Sequence, residues 1–480
     1  MIRVPRPAFH LTPRRNWMND PNGLVHHSGL WHAYFQYNPE SSDWGNMSWG
    51  HASSTDLAHW TEHPVALRHR PGEQIFSGSV VAEQDGGRLI AHYTSAYDDG
   101  RQAQSRAVSD DGGLTWSPDL ENPVLDRGTT SFRDPKVVRF PTADGRDRWI
   151  LVAVEADARQ VLFYGSDDLR TWEHLSSFGP LGPGGVVWEC PDLVPLAVDD
   201  DPDDIRWVLL LSTNPVGDDA DPRGSAMSWI AGTFDGIAFT PDTRRFARLD
   251  EGRDLYAGVT FDSAPDGEAV MLAWMSNWRY AHAIPSSPWR GAMSLPRRLS
   301  LRRDCRGRVR LRQEPPVFVR EHLADTPSKV VLAARPFAEL ALTGHSLLEL
   351  EWDPRTTGSL RLRLAGDADA FAELSHDPET ATLRFERGGP DAEAVHPDFA
   401  SACTTGLIED GSTRRLLISL DGPLLEVFAD DGAATITHLV MLGDGPVVAS
   451  LQTERAGAVR ASTAHLAADR PTEALAAALA

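Results

Sequence analysis

Three acidic residues stand in unusual settings punctuated by proline. Asp20 lies in Trp17-Met-Asn-Asp-Pro-Asn-Gly23, Asp134 in Phe132-Arg-Asp-Pro-Lys136, and Glu189 in Trp188-Glu-Cys-Pro-Asp192. Carboxyl groups gathered in one pocket raise one another's pKa, so one can be ionised while another holds its proton at neutral pH. Glycoside hydrolysis uses that division: a carboxylate nucleophile on one side of the scissile bond and a carboxylic acid on the other. Taken singly, each motif also has a plain reading as a turn. Their spacing argues for more, since Asp134 follows Asp20 by 114 residues and Glu189 follows Asp134 by 55.

Those intervals match a repeat in the chain. Ser54-Thr-Asp-Leu-Ala-His-Trp60 recurs as Ser109-Asp-Asp-Gly-Gly-Leu-Thr-Trp116 and as Ser166-Asp-Asp-Leu-Arg-Thr-Trp172, with the tryptophans 56 residues apart each time. Phe234-Asp-Gly-Ile-Ala-Phe239 is a weaker fourth echo. Each reads as a polar turn between strands, its Asp accepting backbone N–H groups. Strand-like apolar runs keep the same beat: Trp31–Gln36, Leu89–Thr94, Trp149–Glu155, Arg206–Ser212 and Val270–Met275. Helical periodicity is nearly absent from this part. Repeats of this length with several short strands each predict the blades of a β-propeller, five of them, ending near residue 310. Asp20, Asp134 and Glu189 then fall at equivalent positions of blades one, three and four, around one central funnel.

The character changes after Pro315-Pro316. A charged stretch, Val319–Asp325, reads as a connecting helix, and beyond it Ser346–Trp352, Ser359–Leu364, Ala381–Glu386, Arg415–Leu420 and Leu425–Ala429 alternate as strands. The expectation is an all-β chain: a five-bladed β-propeller over 1–315, a linker over 316–330 and an antiparallel β-sandwich over 331–480. The Ala-rich tail after Thr463 reads as helical or frayed.

Composition narrows the partners. The 480 residues carry 46 Lys+Arg against 68 Asp+Glu, a formal charge of -22, which repels phosphate backbones and anionic membranes. Nucleic acid and membrane partners are not expected; the 15 tryptophans offer flat faces suited to sugars, as well as core filler. Cys190, Cys305 and Cys403 are odd in number and far apart, so neither a disulfide framework nor a zinc knuckle is expected. No apolar signal core occurs within Met1–His10, and with reduced thiols this gives a cytoplasmic protein as the expectation, secreted if a leader has been trimmed. The scattered histidines lack metal-ligand spacing, and neither metal nor cofactor is expected. Cys190 reads as a neighbour that tunes Glu189.

The ordered motifs resemble glycoside hydrolase family 32, the β-fructosidases. They run from His10 and Trp17-Met-Asn-Asp-Pro-Asn-Gly23 through Tyr34-Phe-Gln-Tyr-Asn-Pro39, Trp49-Gly-His51, Phe76-Ser-Gly-Ser79, Phe132-Arg-Asp-Pro135 and Glu189-Cys-Pro191 to Tyr256-Ala, Trp274-Met-Ser-Asn-Trp278 and Met293-Ser-Leu-Pro-Arg297. The resemblance implies the same propeller and sandwich. It also implies roles: Asp20 as nucleophile at the anomeric carbon of a terminal fructosyl unit, Glu189 as acid and then base, and Asp134, beside Arg133, on the fructose hydroxyls. Retention of configuration follows from two displacements, with carboxyl groups about 5–5.5 Å apart. Trp17, Asn19, Gln36, Trp44, Phe76, Ser77, Tyr256 and Trp278 are the implied substrate-binding residues.

Tyr280-Ala-His282 and Ser287-Pro-Trp-Arg290 resemble the levanase and exo-inulinase branch, implying a fructan or fructo-oligosaccharide substrate; the family as a whole adds sucrose, and a monomer or homodimer is expected. Pro296-Arg-Arg-Leu299 and Asp421-Gly-Pro-Leu424 depart from the family pattern and put local ion pairing and sandwich contacts to substrate in doubt. Transfer of the fructosyl group to a sugar hydroxyl, including formation of a difructose anhydride, is the alternative. A sialidase shares the turn motif but needs three clustered arginines and a tyrosine nucleophile, and a non-catalytic fructan-binding module would normally have lost one of the three acids.

Overall fold

Runs of alternating or wholly apolar residues between Gly-, Pro- and Asp-rich turns form strands, and here they form almost nothing else. The computed structural model describes residues 4–465 apart from 84–86, 143–146, 183, 218–220, 222, 318–320, 322–328, 334–335 and 408–412. The connecting helix expected at Val319–Asp325 and the tail beyond 465 lie almost wholly outside the described residues.

Five blades surround one axis, and their first strands are Asn16–His27, Glu73–Ala82, Phe132–Pro141, Val186–Val198 and Tyr256–Thr260. These pack side by side around the ring. The apolar runs read from the sequence are the second strands, Leu30–Asn38, Leu89–Tyr97, Asp147–Glu155, Asp201–Pro215 and Val270–Trp274. The Ser/Asp/Trp repeats join the third strand of blades one to three to the fourth. In them Asp56 accepts from the N–H groups of Ala58 and His59, and Asp168 from those of Arg170 and Thr171. Asp235, in the weaker echo, accepts from Ile237 and Ala238 in the same way.

Among the described residues, the ring closes without a swapped outer strand. Asp262 of blade five exchanges backbone hydrogen bonds with Leu24 and His26 of blade one, and Trp289–Arg290 lies parallel to Asn16 and Trp17. Blades four and five also share an edge at Val198 and Leu301.

The C-terminal part is a sandwich of two six-stranded sheets. Strands such as Leu360–Ala365 alternate buried and exposed residues, so Leu362, Leu374 and Phe385 of one sheet meet Leu348, Leu350 and Trp352 of the other.

A buried ionic network fastens sandwich to propeller. Arg297, fully buried, bonds Glu426 at 2.5 Å and Asp250 and Gln313 at 3.1 and 3.0 Å. Arg387 does the same for Asp254 and the Tyr280 hydroxyl. Asp421 accepts the backbone N–H groups of Ala8, Phe9 and His10, while the His10 ring spans Asp421 and Glu426 at 2.8 and 2.9 Å. Of the two departures from the family pattern, Asp421-Gly-Pro-Leu424 belongs to this interface through Asp421; in Pro296-Arg-Arg-Leu299 it is Arg297, which matches the pattern, that takes part. Replacing one partner strands the others, so Arg297→Met is expected to lower stability by about 3–5 kcal/mol in urea denaturation followed by tryptophan fluorescence.

The same network carries a pH dependence. Burial pushes His10 down, but its hydrogen bonds to Asp421 and Glu426 outweigh that and raise it from 6.5 to about 9. A raised histidine stabilises fully below its unfolded pKa and loses that contribution as pH rises through the folded one. The thermal midpoint of the parent is therefore expected to fall between pH 6.5 and 9, and His10→Asn to be lower throughout with that slope removed.

Candidate active site

Each first strand carries a bulge in which two residues oppose one on the second strand. The bulged pairs are Asn19-Asp20 opposite Gln36, Phe76-Ser77 opposite Thr94, Asp134-Pro135 opposite Ala153, Cys190-Pro191 opposite Leu211, and Ala257-Gly258 opposite Ala273. A bulge bends its strand and re-aims side chains, and here five of them turn their side chains toward one another. Asp134, Cys190 and Ala257 accept left-handed backbone, with φ of 60°, 46° and 54°. Each such residue costs on the order of 1 kcal/mol, which the surrounding sheet must hold in place. Proline after Asp20, Asp134 and Cys190 suits these positions because it has no N–H to leave unpaired.

The three carboxylates of the sequence reading meet here. Asp20 receives Asn19 Nδ2 on Oδ1 at 3.0 Å and the Ser77 hydroxyl on Oδ2 at 2.8 Å. Cys190 links it to Asp134: the thiol lies 3.5 Å from Asp20 Oδ2 and 3.7 Å from Asp134 Oδ2, and the Cys190 N–H donates to Asp134 Oδ2 at 2.9 Å. Cys190 therefore contacts the two aspartates, where the sequence reading had it tuning Glu189. Arg133 Nη2 donates to Glu189 Oε1 at 3.0 Å, and the Tyr256 hydroxyl donates to Glu189 Oε2. Asp20 and Asp134 are 8% and 6% exposed, whereas the Glu189 side chain keeps 21% and stands nearer solvent.

Electrostatics follow from this crowding. Burial raises Asp20, its donors from Asn19, Ser77 and Cys190 oppose the rise, and the charge of Glu189 adds to it. Burial lifts Asp134 to about 7 against the pull of Arg133. Burial beside Glu189 pushes the Tyr256 hydroxyl well up, so it stays a proton donor at neutral pH. The Cys190 thiol is likewise held protonated by burial among carboxylates, which removes it as a nucleophile.

The remaining candidates line the same place. Trp17 is buried, donates from Nε1 to Asn19 Oδ1 at 2.7 Å, and stacks on Trp278 with ring centroids 6.0 Å apart. Gln36 faces the Asn19-Asp20 bulge and donates to the Ile75 carbonyl. Trp44 stays 48% exposed, edge-on to Phe76 at 6.0 Å, and forms an apolar lip. What the sequence reading lacked is the layer behind: Thr94 accepts the Asp134 N–H and Ser212 accepts the Ala257 N–H, each at 2.9 Å. Their only signal was a polar residue inside an apolar second strand.

A five-bladed propeller joined to a sandwich, with three carboxylates on its axis, defines a class of glycoside-cleaving proteins. The model of the Glycosyl hydrolases family 32 N-terminal domain matches residues 10–315 and that of the family 32 C terminal matches 310–456; the chain belongs to this family. It is 36% identical over 459 residues to the levanase of Bacillus subtilis, covering 91% of this chain and 66% of the levanase, just under two thirds of its length. It is 33% identical to the extracellular exo-inulinase of Aspergillus awamori, covering 93% of this chain and 91% of that protein. The crystal structure of that exo-inulinase superposes with a TM-score of 0.87 over 96% of this chain and 98% of its own, at 32% identity. The β-fructofuranosidase of Schwanniomyces occidentalis, complexed with fructosyl-erythritol, superposes at 0.85 over 96% and 97%, with 28% identity.

Proposed function

We propose that this chain is a retaining, exo-acting β-fructosidase that releases terminal fructose from fructans, fructo-oligosaccharides or sucrose, with 1–315 as catalytic propeller and 331–480 as sandwich. The observation that carries the reading is the meeting of Asp20 and Asp134 at Cys190, with Glu189 held beside them by Arg133 and Tyr256. The levanase, exo-inulinase and β-fructofuranosidase relatives support the substrate class.

In this reading the Asp20 carboxylate attacks the anomeric carbon while the bond to the leaving oxygen breaks. Glu189 gives its proton to that oxygen. A fructosyl ester on Asp20 results, and the glycan leaves as an alcohol. Glu189, now a carboxylate, takes a proton from water, whose oxygen displaces Asp20 from the same carbon and restores the original configuration. Donors on both oxygens of Asp20 favour its charged form and suit it to the nucleophile's part. The more exposed Glu189 stands where leaving group and water would pass. Asp134 and Arg133 offer an acceptor and a fork of donors to the fructose hydroxyls, and the bonds the hydroxyls donate to Asp134 strengthen as positive charge develops on the ring.

The test is a product chromatogram from sucrose, inulin and levan. Free fructose released from chain ends is expected from the outset. Oligosaccharides or a cyclic difructose as the main product would overturn hydrolysis in favour of transfer, and internal fragments would overturn exo action.

A further inference from the structure

We propose that Thr94 is a positioning residue for the reaction, its hydroxyl locking the bulge of blade three to that of blade two so that Asp134 meets the fructosyl ring in one orientation. The inference rests on the roles assigned above to Asp20, Asp134 and Glu189. Thr94 is fully buried on the second strand of blade two, opposite the Phe76-Ser77 bulge. Its Oγ1 accepts the N–H of Asp134 at 2.9 Å, the amide that the bulge has taken out of its own sheet ladder. Its hydroxyl hydrogen faces two acceptors at 3.2 Å, the Ser77 carbonyl and Gln104 Oε1. Ser77 is the residue that donates to Asp20, and Gln104 donates onward to the carbonyl of Phe132, two residues before Asp134.

One hydroxyl therefore joins the segment holding the nucleophile's donor to the segment holding Asp134. Asp134 also sits in left-handed backbone, a conformation its own preferences disfavour. Without an acceptor at Thr94 its buried N–H is unpaired, and the strand gains by relaxing out of the bulge. Asp134 then turns away, loosening contacts that matter more in the transition state than in the bound ground state, so kcat should suffer more than KM.

Two pairs of proteins test this on inulin: parent against Thr94→Val, and Thr94→Ser against Thr94→Ala, the second pair differing only in the hydroxyl. Thr94→Val and Thr94→Ala are expected to lose about 10- to 100-fold in kcat with KM within about threefold, while Thr94→Ser stays within about threefold of the parent in both. Should Thr94→Val not fold, the Ser/Ala pair decides alone. Undiminished kcat in the hydroxyl-free variants, or a Thr94→Ser as impaired as Thr94→Ala, overturns the proposal. A parent that releases no fructose, or one matched in activity by Asp20→Asn, overturns instead the roles on which it rests.

Discussion

Asp20→Asn is expected to yield a folded protein whose kcat on sucrose or inulin is lower by about 10⁴-fold, some 5 kcal/mol of lost transition-state stabilisation. An amide of the same shape keeps the contacts to Asn19 and Ser77 within reach but cannot attack the anomeric carbon. Stability should move the other way. Burial raises the Asp20 pKa, which means that its charge opposes folding at neutral pH, and a neutral side chain removes that opposition. A thermal midpoint equal to or above the parent's, together with the loss of turnover, separates chemistry from misfolding. A kcat within tenfold of the parent would remove Asp20 as nucleophile.

Glu189→Gln is expected to lower kcat on natural substrates by about 10³-fold, within the usual contribution of a positioned general acid. The two steps should separate by substrate. An aryl fructoside with a good leaving group needs no proton in the first step, so its release should show a fast burst followed by slow turnover. Added azide, an anion that attacks without a general base, should restore the second step. Equal impairment of the natural and activated substrates, with no effect of azide, would exclude Glu189 as acid and base. Because Arg133 and Tyr256 both hold this carboxylate, the amide should stay in place rather than swing out of the site.

The blade count and the position of the carboxylates were legible because both are local. A second strand such as Leu89–Tyr97 is a mainly apolar run, buried from Leu89 to Ser95, and the Ser109–Trp116 turn satisfies its N–H groups from its own Ser109 and Asp111. Spacing placed Asp20, Asp134 and Glu189 on the first strands of blades one, three and four, but not at the equivalent positions it led us to expect: Asp20 is the second and Asp134 the first residue of its bulged pair, while Glu189 stands just ahead of its bulge, paired with Ser212. The bulges were not legible. Whether two residues oppose one depends on the register of a partner strand, and no pattern within Phe132–Pro141 records that Ala153 is faced by both Asp134 and Pro135. Thr94 was hidden for the same reason: in sequence it is one polar strand residue among others, between Tyr93 and Ser95. Arg297, in a motif that matches the family, and Asp421, in one that departs from it, could both be seen, but their partners lie 129 and 411 residues away in the chain.

The anchoring of Ala8, Phe9 and His10 on Asp421 has a consequence for any attempt to exchange modules. The segment so held leads directly into Asn16–His27, the strand that presents Asp20. A chimera that grafted a foreign accessory module onto this propeller would have to transplant Asp421 and Glu426 with it, or accept a slack lead-in to its own nucleophile. In this molecule the appended half is not a detachable passenger.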